Sequence, residues 1–204
     1  MKNFLMSLVF AAAAALGFAQ SAAAAGNPFE TANAVASKTF SDLKANKDKL
    51  GDQSVVKGII TNDLMPYVDI RYAAYKVMGT SLKTTTKEER DSFTEAFGDY
   101  MMRSMSNAIG KYTNQDLVLS PVSEPDKSAS IVPVKFTVKT AGQPDISFVI
   151  KMRLNSKTGE WKAFDVIAEN ISVLDSKTAE IQPIIKSKGV AAAIAALQDN
   201  KAGN

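Results

Sequence analysis

The sequence predicts an α+β fold, in which a curved antiparallel sheet built as a meander is packed on one side by several helices with an apolar pocket between them. Three observations carry this. Apolar residues recur at helical spacing from Phe29 to Tyr112. From Leu117 to about Val173 the period changes to alternation, interrupted by turns that contain Gly or Pro. A helical pattern then returns and runs to Leu197.

The first 25 residues read as a leader. Lys2 supplies a short positive segment, Phe4 to Phe18 is apolar or small throughout, and Ser21 to Ala25 offers overlapping A-x-A cleavage sites. A membrane anchor needs about 20 apolar residues flanked by anchoring charge, more than this run supplies. With no cysteine in the chain there is no residue for an exported form to acylate. The expectation is an exported protein cleaved just before Ala25 or Gly26, with residues 26–204 forming one domain and no internal repeat; in a diderm cell that places it in the periplasm.

Asn27-Pro28 marks a helix start with Pro at the first helical position, and Phe29, Ala32, Ala36, Phe40 and Leu43 follow on one face. Gly51 interrupts the chain. Val55, Val56, Ile59, Ile60 and Leu64 then suggest a second helix that Pro66 ends or kinks, and Tyr67 to Met78 continues in a new direction until Gly79. Thr86 and Glu89 form a capping box ahead of the longest stripe, which runs from Phe93 through Phe97, Tyr100, Met101 and Met105 to Tyr112.

Val132, Val134, Phe136 and Val138 alternate with Pro133, Lys135, Thr137 and Lys139, the pattern of a half-buried strand whose Pro belongs at an edge or a bulge. After the Ala141-Gly142-Gln143-Pro144 turn, Ile146, Phe148, Ile150, Met152 and Leu154 alternate again. Past the turn at Asn155 to Gly159, a third strand runs from Glu160 to about Val173. Its apolar residues fall on both faces, as in a strand covered on each side. Asp175 or Ser176 is placed to cap a last helix, which Gly189 ends before an Ala-rich segment.

Composition narrows the chemistry. The chain of 204 residues has no Cys and no His, which removes disulfides, Cys/His metal sites and imidazole catalysis. A formal charge of +3, evenly spread, is no footprint for nucleic acid. The face composition does allow a cavity. Its wall candidates are Val134, Phe136 and Val138 on one strand, Phe148, Ile150 and Met152 on the next, and Phe97, Met101 and Met105 on the long helix. Leu64, Tyr67 and Val68 at the Pro66 bend, and Phe164, Val166 and Ile171 on the third strand, complete the set. The same periodicity equally describes a filled core, which would suit a ligand-free interaction module. Asp63, Asp69 and Arg71 cluster at the bend, and Asp165 interrupts an apolar strand. Capping and pairing explain these carboxylates; an exported enzyme acting on an apolar substrate through Asp165 or Asp69 is the alternative.

Several segments together resemble the MlaC family over essentially the whole mature chain. They are Asp63-Leu64-Met65-Pro66-Tyr67-Val68-Asp69, Val77-Met78-Gly79, Glu89-Arg90, Phe93 to Phe97, Ser130 to Val134, Gly159 to Glu169, Ile171-Ser172 and Lys188-Gly189. Asn170 stands where a Gly is usual, and Lys177 and Ile181 replace an Arg and a Phe. The resemblance implies a periplasmic phospholipid carrier rather than an enzyme, with no cofactor and with phospholipid as cargo. Its implied partners are an outer-membrane lipoprotein–porin complex and an inner-membrane ABC transporter with a lipid-binding ring component. The implied role is maintenance of outer-membrane lipid asymmetry by a monomer, with acyl chains in the pocket and the head group at its mouth.

Overall fold

The computed structural model describes residues 26–110, 112, 115–119 and 128–199; the leader assigned to residues 1–25 lies outside them. Helix α1 spans Pro28–Ala45, and the Asn27 side chain accepts the Phe29 N–H at 2.9 Å to cap it. Helix α2, Gln53–Ile59, is capped by Asp52 and runs into a π turn, Ile60–Leu64, and then a 3₁₀ turn, Met65–Tyr67, that accommodates Pro66. Asp69 caps helix α3, Ile70–Met78. Gly79 ends it at φ 56°, where a Cβ would also collide with Gln182. The capping box is formed as expected: Glu89 N–H donates to Thr86 Oγ1 at 3.1 Å, Thr86 N–H donates to Glu89 Oε2 at 2.8 Å, and helix α4 runs Lys87–Ile109.

The sheet is an antiparallel meander in the order β1 (Asp116–Leu119), β2 (Ile131–Lys139), β3 (Ile146–Asn155), β4 (Glu160–Ala168) and β5 (Ile171–Ser172). Pro133 sits inside β2, beyond the stretch from Phe136 to Lys139 that the described residues of β1 pair with. The strand expected to run from Glu160 to Val173 is instead two. Glu169 and Asn170 take φ of 51° and 64° and fold β5 back on β4, as in a two-residue hairpin turn with both central residues left-handed. Neither residue is Gly, so the usual signal for that turn is missing. Helix α5, Val173–Asp199, consequently starts earlier than expected, with Ser172 Oγ rather than Asp175 or Ser176 at its cap, accepting the Asp175 N–H at 2.9 Å. Gly189, at φ 83°, breaks α5 into two arms.

Opposite the Lys151/Met152 step of β3, strand β4 carries a bulge: Asp165 pairs with Lys151 and Ala163 with Met152, leaving Phe164 over. The extra residue gives β4 two cores. Phe164 joins the cluster of α3, α4 and α5 that contains Val77, Phe93, Phe97 and Ile181. Trp161 joins Ala32 of α1 with Val132, Val134, Phe136 and Met152 on the sheet. A third cluster, around Leu43, Val56 and Ile60, ties the end of α1 to α2 and the π turn.

Asp165 locks the β4–β5–α5 junction. Its carboxylate accepts Ser172 Oγ at 2.9 and 3.0 Å and the Leu174 N–H at 3.1 Å, and it pairs with Lys151 at 3.0 Å. Truncating a buried, hydrogen-bonded carboxylate strands its partners, so Asp165→Ala is expected to cost about 3 kcal/mol. In urea unfolding the midpoint should fall with little change in slope; a midpoint within error of the parent would exclude this role.

Candidate functional site

Between α1, the bend, the end of α4 and the inner face of the sheet lies a cavity of about 530 Å³. Helix α1 roofs it with Ala32, Val35, Ala36, Thr39, Phe40 and Leu43. The short side chains of Ala32 and Ala36 face the sheet without reaching across it, which leaves the space open. The bend adds Leu64, Tyr67 and Val68; the end of α4 adds Met105, Ala108 and Ile109, with Tyr112 beyond it. Leu117, Val138, Phe148, Ile150, Met152, Ala163 and Val166 form the floor. Gln115, Thr140, Gln143 and Ile146 complete the wall.

No described lining residue carries a formal charge. The Thr39 hydroxyl is consumed inside its own helix, donating to Val35 O at 2.9 Å. Tyr112 stands edge-on to Phe40, with ring centroids 5.8 Å apart. Burial, reinforced by nearby Asp116, pushes its hydroxyl above the ordinary value, so the ring stays neutral. Solvent reaches the wall beside the bend and the sheet corner, where Ile146, Tyr67 and Val166 are exposed by 52%, 42% and 37%.

Of the residues expected to form the wall, the structure brings Leu64, Tyr67, Val68, Met105, Val138, Phe148, Ile150, Met152 and Val166 together around this space. The others lie elsewhere. Val134 and Phe136 are on the correct face but completely buried under α1, Phe136 stacked on Phe148 at 5.6 Å. Phe97 and Met101 sit on the α4 face that packs against the α3 and α5 side. The bulge sends Phe164 to that same cluster, and Ile171, paired with Ala168 across the β4–β5 turn, is exposed to solvent. Sequence reasoning missed α1 as the roof; the signal was its run of small residues, Ala32, Val35, Ala36 and Thr39.

The carboxylates have structural partners and none lines the cavity. Asp69 caps α3 by accepting the Tyr72 N–H at 3.1 Å, and it holds Arg153 at 2.7 Å. The Arg153 guanidinium lies 4.4 Å from the Tyr72 ring centroid. Asp63, buried in the π turn, pairs with Lys38 of α1, which also reaches Asp42 at 2.9 Å. These two acids hold the Lys38 ammonium above its ordinary value, Asp63 contributing most. Among the described residues, no three His, Cys, Asp or Glu side chains are grouped to hold a metal ion, and no helix is long and apolar enough to cross a membrane.

A family model described as MlaC protein matches residues 33–199. The chain belongs to the MlaC family. A Haemophilus influenzae protein named intermembrane phospholipid transport system binding protein MlaC is 29% identical over 201 residues, covering 98% of this chain and 94% of that relative. The toluene tolerance protein ttg2D of Pseudomonas putida is 26% identical over 152 residues, covering 74% of this chain and 69% of its own length. The same fold occurs in a phospholipid-binding protein from Ralstonia solanacearum solved in complex with a phospholipid, with TM-score 0.76 and 16% identity over 86% of this chain and 97% of that one.

Tyr112 gives a spectroscopic handle on this wall. Its folded-state ionisation lies above the unfolded value of 10.0, so alkaline pH favours the unfolded chain: the penalty begins as pH rises past 10.0 and is complete above the folded value. Ultraviolet titration should show a late-ionising tyrosine that disappears in Tyr112→Phe; an unchanged titration curve would show that the ring is not buried as described.

Proposed function

We propose that this protein is a soluble, monomeric periplasmic phospholipid carrier, released from its leader within residues 1–25, which passes lipid between an outer-membrane lipoprotein–porin complex and an inner-membrane ABC transporter. Its role is to maintain outer-membrane lipid asymmetry, and its cargo needs no cofactor. One observation carries the reading: an uncharged cavity of about 530 Å³, walled by α1 and the sheet and open beside the bend. Family membership and the names of the relatives support the choice of phospholipid over other apolar ligands.

The lining dictates the pose. A phosphate inside would need cationic partners to offset its lost hydration, and the described wall supplies none. The acyl chains therefore go in and the head group remains at the wet rim, among groups such as Gln143 and Tyr67. Such a pose places few demands on head-group chemistry.

At about 0.8 kcal/mol per methylene, two chains with roughly 30 methylenes together gain on the order of 24 kcal/mol over water. That exceeds the net free energy of any noncovalent complex. The comparison that governs a carrier is with another hydrocarbon environment, against which the net gain is small. Crossing water is the obstacle, and docking mouth-to-mouth with an apolar donor or acceptor removes it.

Native mass spectrometry of gently purified protein is expected to show a bound phospholipid, and solvent extraction to recover it. Recovery of no phospholipid from folded protein under any handling would overturn the carrier reading. Ala36→Phe, which projects a ring from the roof into the cavity, is expected to lower phospholipid occupancy severalfold with thermal stability kept or raised. Unchanged occupancy in that variant would remove α1 from the binding site.

A further inference from the structure

Asp63 occupies a position suited to an apolar side chain. Val56, Ile59 and Ile60 form the buried stripe of α2 and its π turn, and Asp63 continues that stripe at helical spacing with only 1% of its surface exposed. One of its oxygens accepts from the Lys38 ammonium of α1; the other is buried and has no hydrogen-bond partner among the described residues. The Lys38 side chain is itself 59% exposed. A carboxylate buried against one such partner stabilises a fold less than an aliphatic side chain filling the same space. Asp63 therefore contributes something other than packing, and a buried polar group left half satisfied calls for a reason.

Its place in the cavity wall supplies one. Lys38 stands between Val35 and Thr39 on the roof, and Asp63 precedes Leu64 on the bend; these three neighbours all line the cavity. The pair thus crosses the seam between roof and bend, beside the solvent-exposed Tyr67. The bend is tied to β4 by the backbone, through the Asp69 N–H and Ala163 O at 2.8 Å. Among the described residues no backbone hydrogen bond ties α1 to the bend or the sheet; it meets them through apolar side chains and through Lys38. Apolar contact has no direction, whereas an ammonium either reaches its carboxylate or does not. Lys38 also has a second acid within its own helix, Asp42 at 2.9 Å. When α1 moves off the bend, the ammonium keeps Asp42 and the Asp63 carboxylate meets water, so both arrangements leave the charges partnered or hydrated.

We infer that Lys38 and Asp63 form a latch on the cavity, closed when the pair holds α1 against the bend and open when Lys38 rests on Asp42 alone, and that its opening sets the rate at which lipid enters and leaves. This rests on the phospholipid-carrier reading. Neither residue lines the cavity, so both are positioning residues that act on exchange through the roof.

Phosphatidylethanolamine with a fluorescent acyl chain, loaded on the protein, reports the rate by its transfer to phosphatidylcholine vesicles that contain a quencher. Asp63→Asn keeps the shape and removes the charge; Lys38→Ala/Asp63→Leu completes the apolar stripe and leaves no buried charge behind. Both are expected to transfer lipid about fivefold faster than the parent at equal loading, the scale of a charge-assisted pair with one partner in solvent. Lys38→Arg, which keeps the cation, should transfer at the parental rate. Amide hydrogen exchange should quicken along α1 in the two faster variants and stay parental in α3, α4 and α5. Asp165→Ala, which loosens the β4–β5–α5 junction instead, should also transfer at the parental rate; an equal acceleration there would reduce the effect to general destabilisation and overturn the latch. Parental transfer by loaded, folded Lys38→Ala/Asp63→Leu would overturn the latch and leave the carrier reading intact. A parent protein that takes up none of the lipid would overturn the carrier reading and the latch with it.

Discussion

An open apolar cavity persists only if its walls are held apart by contacts made elsewhere, since side chains facing a void forfeit the attraction that close packing provides. In this protein the spacer is the bend between α2 and α3. Val68 makes a parallel bridge to Ala163, and the Asp69 N–H donates to Ala163 O at 2.8 Å, so the bend is sewn to the middle of β4. Asp69 then grips Arg153 on the neighbouring strand, and Arg153 lies against Tyr72, which stands edge-on to Phe164 at 5.0 Å. Backbone pairing, an ion pair and an aromatic pair thus converge on one point. On one side of it is the close-packed cluster of α3, α4 and α5, and on the other the hollow under α1.

That division explains which features the sequence announces. The elements are legible because local chemistry specifies them: Asn27-Pro28, the Thr86/Glu89 box and Gly79 each act within a few residues, β2 alternates buried with exposed residues, and β3 repeats an apolar residue at every second position from Ile146 to Leu154. Membership of the wall is not local. Phe97 and Met105 share the periodic stripe of α4, yet the first faces a packed core and the second the cavity. The helix passes from one to the other along its length. Phe164 and Val166 differ by two positions and would share a face of a regular strand; the bulge puts them on opposite faces. The turn at Glu169 and Asn170 escapes notice because it forms without glycine. The most informative clue to the hollow was the middle of α1, where Ala32 and Ala36 stand between the larger Phe29, Phe40 and Leu43 and leave space under the helix unfilled.

The roof is held mainly by apolar contacts at Ala32 and Leu43. Among the described ion pairs, only Lys38 to Asp63 joins α1 to another element, and Lys38 is well exposed. An exposed ammonium contributes little by itself, but its partner is a carboxylate buried in a π turn, with a second oxygen that has no hydrogen-bond partner. Losing Lys38 would leave that charge buried and unpaired. The pair therefore fixes α1 against the bend at the roof's edge, while Ala32 and Ala36 grip the floor only weakly. Stiffness at one edge beside looseness across the middle is what a wall needs if the contents are to change without unfolding the rest.

Affinity and exchange place opposite demands on such a site. A fully enclosing pocket would hold both chains and release neither, because each methylene would have to leave against its full hydration cost. A shallow one would leave too much hydrocarbon in water to carry anything across it. A cavity walled by α1 and the sheet, and open to solvent where Ile146, Tyr67 and Val166 are exposed, lies between those limits. In the carrier reading, enclosure retains the lipid during transit. The exposed apolar side chains of Ile146 and Val166 at the opening then let contact with an apolar acceptor continue the hydrocarbon path without a stretch of water. In that reading the absence of charge from the described lining serves the same end, since no fixed cation would hold a phosphate back as the tails move.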